Sequence, residues 1–371
     1  MAKQQLYIAA MGMVSPIGGN VEMTSAAINA GISAYELSDF ESDSGEPIKM
    51  ALVPDEIIDE IEVETSLTLL EGNRFKARHD RISIMAAMAM QEACRGIESD
   101  KSVPLLMAKS EYGYEQAELS SLTENIANNA TLWKSGDINR SFYSGRAAGI
   151  EAISLIFDYL YEGDHDYFIV GGSDSYFDDH LINQLADSGR LLFSNNPDGF
   201  APGEAAGYLV LTRKPDLALV NNGQMIALNT PGIADEVGHL NSDLPYKGEG
   251  LDQAFKRALI NAQNKNVSTI YSSMNGEHFW AKELGVAQLR NQRAFSEDVA
   301  VIHPAENFGD IGAATSAVLL ALAANDLWQD KQAKSSLVYA SADNAKRGAI
   351  VIEKVLATSN IANTNNTRNL V

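Results

Sequence analysis

Cysteine is nearly absent from this sequence: Cys94 is the single one among 371 residues. One thiol cannot form an intrachain disulfide or a cysteine-rich metal site. The six histidines are scattered without the short spacings of a metal-ligand set, so we predict neither a metal site nor a cofactor. Cys94 falls in an almost uniformly apolar helical pattern that begins near Arg81, which favours an inert buried thiol over cysteine chemistry.

Basic residues are also scarce, since 28 Lys and Arg stand against 49 Asp and Glu, a net charge of −21. A surface of this sign repels phosphate backbones and anionic lipid, which argues against nucleic-acid binding and electrostatic membrane docking. The longest apolar run, near Ala313–Ala324, is too short to cross a bilayer and is typical of a buried helix. Met1–Gln5 leads directly into a strand without a signal-peptide pattern, so we expect a cytoplasmic protein.

The apolar segments occur twice in the same order, which indicates a duplicated architecture. In each half a helix precedes a strand, a second helix begins at small residues, and two more strands follow. The second helices begin at Gly145–Ile150 and Gly312–Thr315 and are apolar on all sides, so each must be buried between two sheets. The sequence therefore predicts an α/β fold with duplicated halves in a five-layer αβαβα sandwich. We place the halves at residues 1–218 and 219–357, followed by a loose Asn- and Thr-rich tail at 358–371.

A glycine-rich turn that enters an apolar strand, Pro197–Leu211, identifies a family. It closely resembles the D-G-F-x-x-G-E-x-A-G-x-L-V-L-E signature of the β-ketoacyl synthases, the condensing enzymes of fatty-acid and polyketide synthesis. Tyr7–Gly18 resembles the strand and turn with which these enzymes begin. The resemblance covers nearly the whole chain and implies the thiolase fold.

The family's catalytic residues do not carry over. A ketosynthase uses a cysteine at a helix N-terminus to hold the acyl chain and two histidines to polarise the malonyl group. The resemblance puts Phe142 where the family has its cysteine, and Asn275 where it has its first histidine. The second histidine corresponds to Gly309 or, with a one-residue deletion, to Asp310. The family's glycine-rich gating loop corresponds to 341–347, which has no glycine.

From these replacements we expect a narrow site with Phe142 at the mouth of the Gly145 helix. Its polar wall should hold Asn275, Asn307 and Asp310, with Asp310 facing the positive end of that helix.

Two classes of function are compatible with this pattern. The first is a catalytically degenerate member, either a chain-length-factor-like partner of an active ketosynthase or an accessory protein of a bacterial gene cluster, including secretion clusters. The second is altered enzymology, an acyltransferase or thioesterase in which Ser141 or Ser144 is the acyl acceptor. His278 or Glu277 would then be its base and Asn275 the oxyanion donor.

The resemblance also implies protein partners. We expect a homodimer, or a heterodimer with a ketosynthase paralogue, formed where the strand near Leu105 pairs across a two-fold axis. An acyl carrier protein is acidic, so a face that binds one needs a local basic patch, for which Lys282, Arg290 and Arg293 are candidates.

Overall fold

A computed structural model describes residues 4–42, 45–62, 76–112, 122–124, 126–128, 130, 132–194, 196–262 and 266–357. The tail assigned to residues 358–371 lies outside them. The strands of the described residues are β1 (Leu6–Val14), β2 (Glu36–Glu41), β3 (Pro47–Met50), β4 (Leu105–Ala108), β5 (Asn139–Phe142), β6 (Phe168–Ser175), β7 (Glu204–Thr212), β8 (Gln224–Leu228), β9 (Gly232–Asp235), β10 (Val267–Ser272), β11 (Phe295–Ile302), β12 (Ser335–Ser341) and β13 (Lys346–Leu356).

The helices lie between these strands singly or in succession. They are α1 (Val21–Asn29), α2 (Asp55–Glu62), α3 (Lys76–Cys94), α4 (Ala148–Leu155), α5 (Asp179–Asp187), α6 (Gly250–Asn261), α7 (His278–Arg290), α8 (Ala305–Phe308) and α9 (Thr315–Gln329). Single 3₁₀ turns, Gly145–Ala147 and Gly312–Ala314, lead into α4 and α9.

The strand order confirms the duplication. The first half forms the order β5-β4-β6-β7-β1 and the second half the order β11-β10-β12-β13-β8. Directions repeat as well, because β4, β5 and β6 are mutually parallel, as are β10, β11 and β12, and the remaining pairs in both halves are antiparallel. The two sheets meet at one corner, where Leu6 pairs with Leu228 and Tyr7 with Ala227. The division assigned at 218/219 falls between β7 and β8.

Five layers follow from how the helices cover the two sheets. Helix α3 packs on the outer face of the first sheet, and α6 and α7 pack on the outer face of the second. Helices α4 and α9 lie between the sheets, as their uniformly apolar sequences predict. They approach closely because Gly149 faces Ser316: a Cβ at Gly149 would lie 2.7 Å from the Cβ of Ser316. The fold class predicted from the sequence is therefore confirmed.

The edge of the first sheet differs from the prediction. Strand β4, which contains Leu105, is not an edge strand: it is flanked by β5 and β6 and is fully buried. The edge strand is β5, which the sequence analysis missed because its sequence, Asn-Arg-Ser-Phe, has neither an apolar run nor a strict alternation. The hairpin of β2 and β3 was also missed.

Candidate functional site

Two glycines stand at equivalent points of the repeat. Gly145 follows β5 and begins the turn into α4, and Gly312 follows β11 and α8 and begins the turn into α9. Both have left-handed backbones, with φ of 47° and 50°, a region that glycine adopts far more readily than other residues. Because β5 and β11 have the same place in their sheets, these turns bring the N-terminal ends of the two central helices together. The candidate site lies between them.

Arg146 occupies this point. Its side chain is buried although it follows Gly145 in the first turn of an otherwise small and apolar helix start. Its Nε donates to the Ser341 carbonyl oxygen at 2.9 Å and its Nη2 to Asp343 Oδ1 at 2.5 Å, while Nη1 donates to Asp310 Oδ2. The guanidinium lies 4.7 Å from the ring centroid of Trp280, a cation–π distance.

Asp310 links this arginine to the loop after β10. Its Oδ2 also accepts from Asn275 Nδ2 at 2.8 Å, and its Oδ1 accepts from the Gly312 backbone N–H at 2.9 Å. Asn275 Nδ2 also donates to Glu277 Oε2 at 3.0 Å. All of these side chains are buried, and each polar contact replaces a bond to water that burial removes.

A second arginine extends the network. Arg190 binds Glu277 in a fork, with Nε to Oε1 at 2.8 Å and Nη2 to Oε2 at 2.7 Å, and its Nη1 lies 2.7 Å from Asp343 Oδ2. Tyr112 accepts from Arg190 Nη1 at 2.7 Å and donates to Asp343. We call the set Arg146, Arg190, Asp310, Asp343, Glu277 and Asn275 the central ion cluster.

Mutual attraction shifts the pKa values of Asp343 and Arg146 in the central ion cluster. Burial alone would raise the pKa of Asp343, but Arg146 and Arg190 more than offset this and hold it below its ordinary value. The pKa of Arg146 is raised because the carboxylates of Asp310 and Asp343 outweigh its burial. Asp343 and Arg146 are therefore held in their charged forms and form a buried ion pair.

Glu111 occupies the space beside the first glycine turn. It accepts from the backbone N–H groups of Asp343 and Asn344 at 2.9 and 3.1 Å, and burial raises its pKa. A Cβ at Gly145 would lie 2.8 Å from Glu111 Oε2. The Glu111 carboxyl group therefore occupies the space that a side chain at position 145 would need.

The residues assigned to the family's catalytic positions lie around this site. Phe142 ends β5 and is half-buried. It packs against Ala108 at the end of β4 and against Ala148 and Ala313 at the starts of the two central helices. Asn275 and Asp310 meet each other inside the central ion cluster. Gly309 has φ of 75°, and a Cβ at this position would lie 2.6 Å from the Ala201 carbonyl oxygen, so a larger residue does not fit there. Of Gly309 and Asp310, it is therefore Asp310 that directs a side chain into the site.

Two details of the expected site are corrected. Asn307 does not belong to its polar wall: its Nδ2 donates to the Ile32 carbonyl oxygen at 2.7 Å, at an exposed position. Asp310 binds the Arg146 side chain and the Gly312 amide rather than the amides that begin the Gly145 helix.

The serines and His278 have other partners. Ser144 Oγ donates to Glu151 Oε2 at 2.5 Å, and Ser141 lies within β5, in register with Met107 of β4. The His278 ring is 81% exposed and pairs with Asp198. Glu277, the other base considered, is held by Arg190, Asn275 and Trp280.

Cys94 is buried, as predicted, at the end of α3. It belongs to the hydrophobic cluster of the outer face of the first sheet, with Ile82 and Met107, whereas the central ion cluster lies at the start of the inner helices.

Lys109 follows β4 and is also buried; among the described residues its Nζ has no hydrogen-bond partner. Burial lowers the pKa of Lys109 to about 7, although Asp174 opposes the shift.

Sequence reasoning missed Arg146, Arg190 and Asp343. The available signal was the arginine in Gly-Arg-Ala-Ala, a charge at the start of a helix expected to be buried. A buried charge requires partners of opposite charge, here carboxylates.

Over the described residues no group of three or more His, Cys, Asp and Glu is arranged to hold a metal ion. Within the same ranges no helix has the length and hydropathy of a membrane span.

Comparisons with known proteins agree with this architecture. A family model, the β-ketoacyl synthase N-terminal domain, matches residues 139–216, from β5 to just beyond β7. No curated protein matches the chain.

Solved structures resemble almost all of it. The ishigamide ketosynthase/chain length factor has a TM-score of 0.74 at 15% identity, over 95% of this chain and 99% of that one. A ketosynthase in complex with its chain length factor from Xenorhabdus doucetiae has a TM-score of 0.69 at 15% identity, over 95% and 98%. The module 6 ketosynthase of the Bacillus subtilis bacillaene synthase has a TM-score of 0.71 at 14% identity, over 94% of this chain and 72% of its own. The chain therefore has the thiolase-like fold of the β-ketoacyl synthases, with the match to their N-terminal domain at residues 139–216.

Proposed function

We propose that this chain is a non-condensing member of the ketosynthase fold that acts as a partner or accessory subunit. One observation carries the proposal: the space between the starts of the two central helices is filled by Arg146 and its carboxylate partners. Decarboxylative condensation needs a thiolate and imidazole groups at this place. The site instead holds guanidinium, carboxylate and amide groups, and the chain's one thiol is on the far side of the first sheet.

The central ion cluster has a structural explanation. Arg146 and Arg190 belong to the first half of the chain, while Asp310, Asp343 and Glu277 belong to the second. Each ion pair therefore joins the two halves across the central layer. Once such charges are buried, removal of one partner leaves the other unpaired in a low-dielectric interior, so the cluster favours one relative placement of the halves.

The partner we propose is a ketosynthase paralogue or a second copy of this chain, paired through β5. This strand is a partly exposed edge, and an unpaired edge offers its backbone groups to another strand. The similarity to structures of ketosynthases with chain length factors supports the heterodimer in particular. An acyl carrier protein and a component of a secretion cluster are further candidates.

The acyltransferase alternative has weaker support. A serine nucleophile needs a base within hydrogen-bond reach. Ser144 is paired with Glu151, and His278 is turned toward Asp198 on the surface.

Two measurements on the purified chain test the proposal. Incubation with a radiolabelled malonyl thioester should release no carbon dioxide above the level of heat-treated protein, with an active ketosynthase as positive control. Native mass spectrometry of the chain co-expressed with a ketosynthase from the same source should reveal a one-to-one complex. Release of carbon dioxide by the chain alone contradicts the non-condensing role. Absence of the complex would contradict the heterodimer and leave the homodimer or another accessory partner as the proposed assembly.

A further inference from the structure

A cavity of about 760 Å³ lies along strand β2, which belongs to neither of the two large sheets. All five residues from Glu36 to Phe40 line it, although their side chains alternate between the two faces of the strand. The cavity therefore follows the length of β2 rather than one of its faces. The rest of its lining includes residues 52–56, Phe177 and Asp179.

Strand β2 has an open side. Over the described residues it pairs with β3 alone, with Glu36 opposite Met50 and Leu37 opposite Lys49. A strand with one neighbour presents unpaired backbone N–H and C=O groups on its other side. An extended chain can add to such a side as a further strand, and its side chains then enter the adjoining pockets.

The charged side chains that line the cavity are all carboxylates. They are Glu36, Asp39, Asp55, Glu56 and Asp179. Asp55 pairs with Arg81 at 2.6 Å, and Arg81 also binds the buried Glu204. The other four carboxylates form no ion pair within the described part of the chain. Lys49 is exposed on the neighbouring strand β3, and five carboxylates against Arg81 and Lys49 leave the cavity negative.

Apolar side chains lie among these charges. Leu37, in the middle of the hairpin strand, is 69% exposed. Phe40 and Phe177 meet edge to face with their ring centroids 5.1 Å apart, and all three side chains line the cavity. Exposed apolar groups bordered by charge are typical of a protein-binding surface.

The composition of β2 also narrows the choice of partner. Asp and Glu are rare in strands, yet Glu36 and Asp39 stand on this one beside an exposed leucine. Carboxylates on an edge strand repel an identical edge, so a second copy of this chain is a poor partner here. A strand that brings cations to the same edge would be attracted.

We propose that β2 and this cavity bind an extended basic segment of a partner protein, which adds to the β2–β3 hairpin as a third strand. Its backbone would bond to the open side of β2, and its apolar side chains would cover Leu37. Its lysine or arginine side chains would contact Glu36, Asp39, Glu56 and Asp179. Charge complementarity selects a basic protein segment over nucleic acid, which this negative surface repels.

The proposal goes beyond the partner-subunit role and does not depend on it. Strands β2 and β3 form a separate two-stranded sheet, whereas the dimer proposed above forms at β5, the terminal strand of the first large sheet. Loss of binding at β2 would leave the mass of the dimer unchanged, so the two proposals fail independently.

Fluorescence anisotropy with labelled peptides tests the proposal on the full chain. The probe is a peptide of about eight residues, the length of an ordinary strand, in which lysine alternates with valine. Its control has glutamate in place of each lysine. We expect the lysine peptide to bind, with an affinity that falls about fivefold between about 50 and 200 mM salt.

Two modified forms of the lysine peptide separate strand addition from simple charge attraction. One is N-methylated at every lysine and the other at every valine, so each lacks the backbone N–H groups of one of its two edges. Because a strand that adds to β2 bonds through one edge, we expect one of the two forms to bind about tenfold more weakly than the unmodified peptide.

Charge reversals on the chain locate the binding site. Glu36→Lys and Asp39→Lys should each weaken binding of the lysine peptide about fivefold. Asp243→Lys, at an exposed position outside the cavity, is the matched control and should leave binding unchanged. Circular dichroism of each variant separates loss of binding from loss of fold.

Several outcomes would overturn the proposal. They are failure of the lysine peptide to bind, equal binding of the glutamate peptide, and equal effects of Asp39→Lys and Asp243→Lys. If both N-methylated forms bind as tightly as the unmodified peptide, the backbone of β2 is not used and strand addition is wrong.

Discussion

Arg146 and Asp343 meet across the two halves of the chain, with Arg146 Nη2 2.5 Å from Asp343 Oδ1 and both side chains buried. The residues are 197 positions apart in sequence. Their contact joins the turn before α4 to the loop between β12 and β13, which the sequence resemblance aligns with the gating loop of the ketosynthases. This ion pair holds the loop between β12 and β13 against the start of the central helix α4.

Arg146→Met should lower the free energy of unfolding by about 3–5 kcal/mol, because Asp310 and Asp343 would lose a buried counter-ion. Urea denaturation measures this change. Addition of Asp310→Asn to Arg146→Met should recover part of the loss, since it removes one of the unpaired charges. Lys331→Met, at an exposed position, should change stability by less than about 0.5 kcal/mol. Equal effects of Arg146→Met and Lys331→Met would show that the cluster does not join the halves.

Lys109 should make the stability of the protein depend on pH above neutrality. Its pKa is lowered from 10.5 to about 7 in the folded chain. Between these values the unfolded chain binds the proton and the folded chain does not, so stability should rise with pH across this window. The slope from this one group reaches at most about 1.4 kcal/mol per pH unit.

Lys109→Met should remove that slope and stabilise the protein most at pH 7 and below, where the native lysine must carry a buried charge. Urea unfolding at pH 7, 8 and 9 measures the slope in both proteins. Parallel stability curves for the native chain and Lys109→Met would rule out this role for the lysine.

The edge of β5 offers a test of assembly. The Ile138 carbonyl oxygen accepts from the backbone N–H of Leu105 in β4, and that of Phe142 accepts from the N–H of Lys109, the residue after β4. By alternation the backbone N–H of Ser141 faces the open edge. Ser141→Pro should remove an outward N–H without breaking a bond to β4 and should therefore convert a dimer into a monomer of 40.1 kDa. Ser141→Ala keeps the N–H and is the matched control. Light scattering at micromolar concentration measures the mass, and a native chain that is already monomeric at 40.1 kDa contradicts dimerisation through this edge.

The sequence predicted the fold because the fold depends on local features: the glycine turn before β7, the apolar runs of the strands, and the small residues that begin α4 and α9. It also placed Asn275 and Asp310 in one site. It could not place Arg146 with Asp343, because each is an ordinary charged residue in its own segment and their contact depends on the assembly of both halves. Strand β5 was missed for a related reason, since its pairing with β4 rather than its composition makes it a strand.

The proposed non-condensing role predicts that condensing chemistry can be installed only if the central ion cluster is removed and the catalytic groups are supplied. Phe142→Cys, Asn275→His and Asp310→His supply the catalytic groups at positions that the sequence resemblance aligns with the family's catalytic residues, with 310 chosen over 309, and such groups act as a unit. Asp310→His takes away a carboxylate partner of Arg146 and places imidazole beside its guanidinium. We therefore expect the triple variant to be less stable than the native chain and inactive in carbon dioxide release from a malonyl thioester. Addition of Arg146→Ala should clear the space and remove the guanidinium that repels a protonated imidazole at position 310. Any activity should therefore appear first in the quadruple variant. Activity in the triple variant with Arg146 in place would show that this arginine does not obstruct the site.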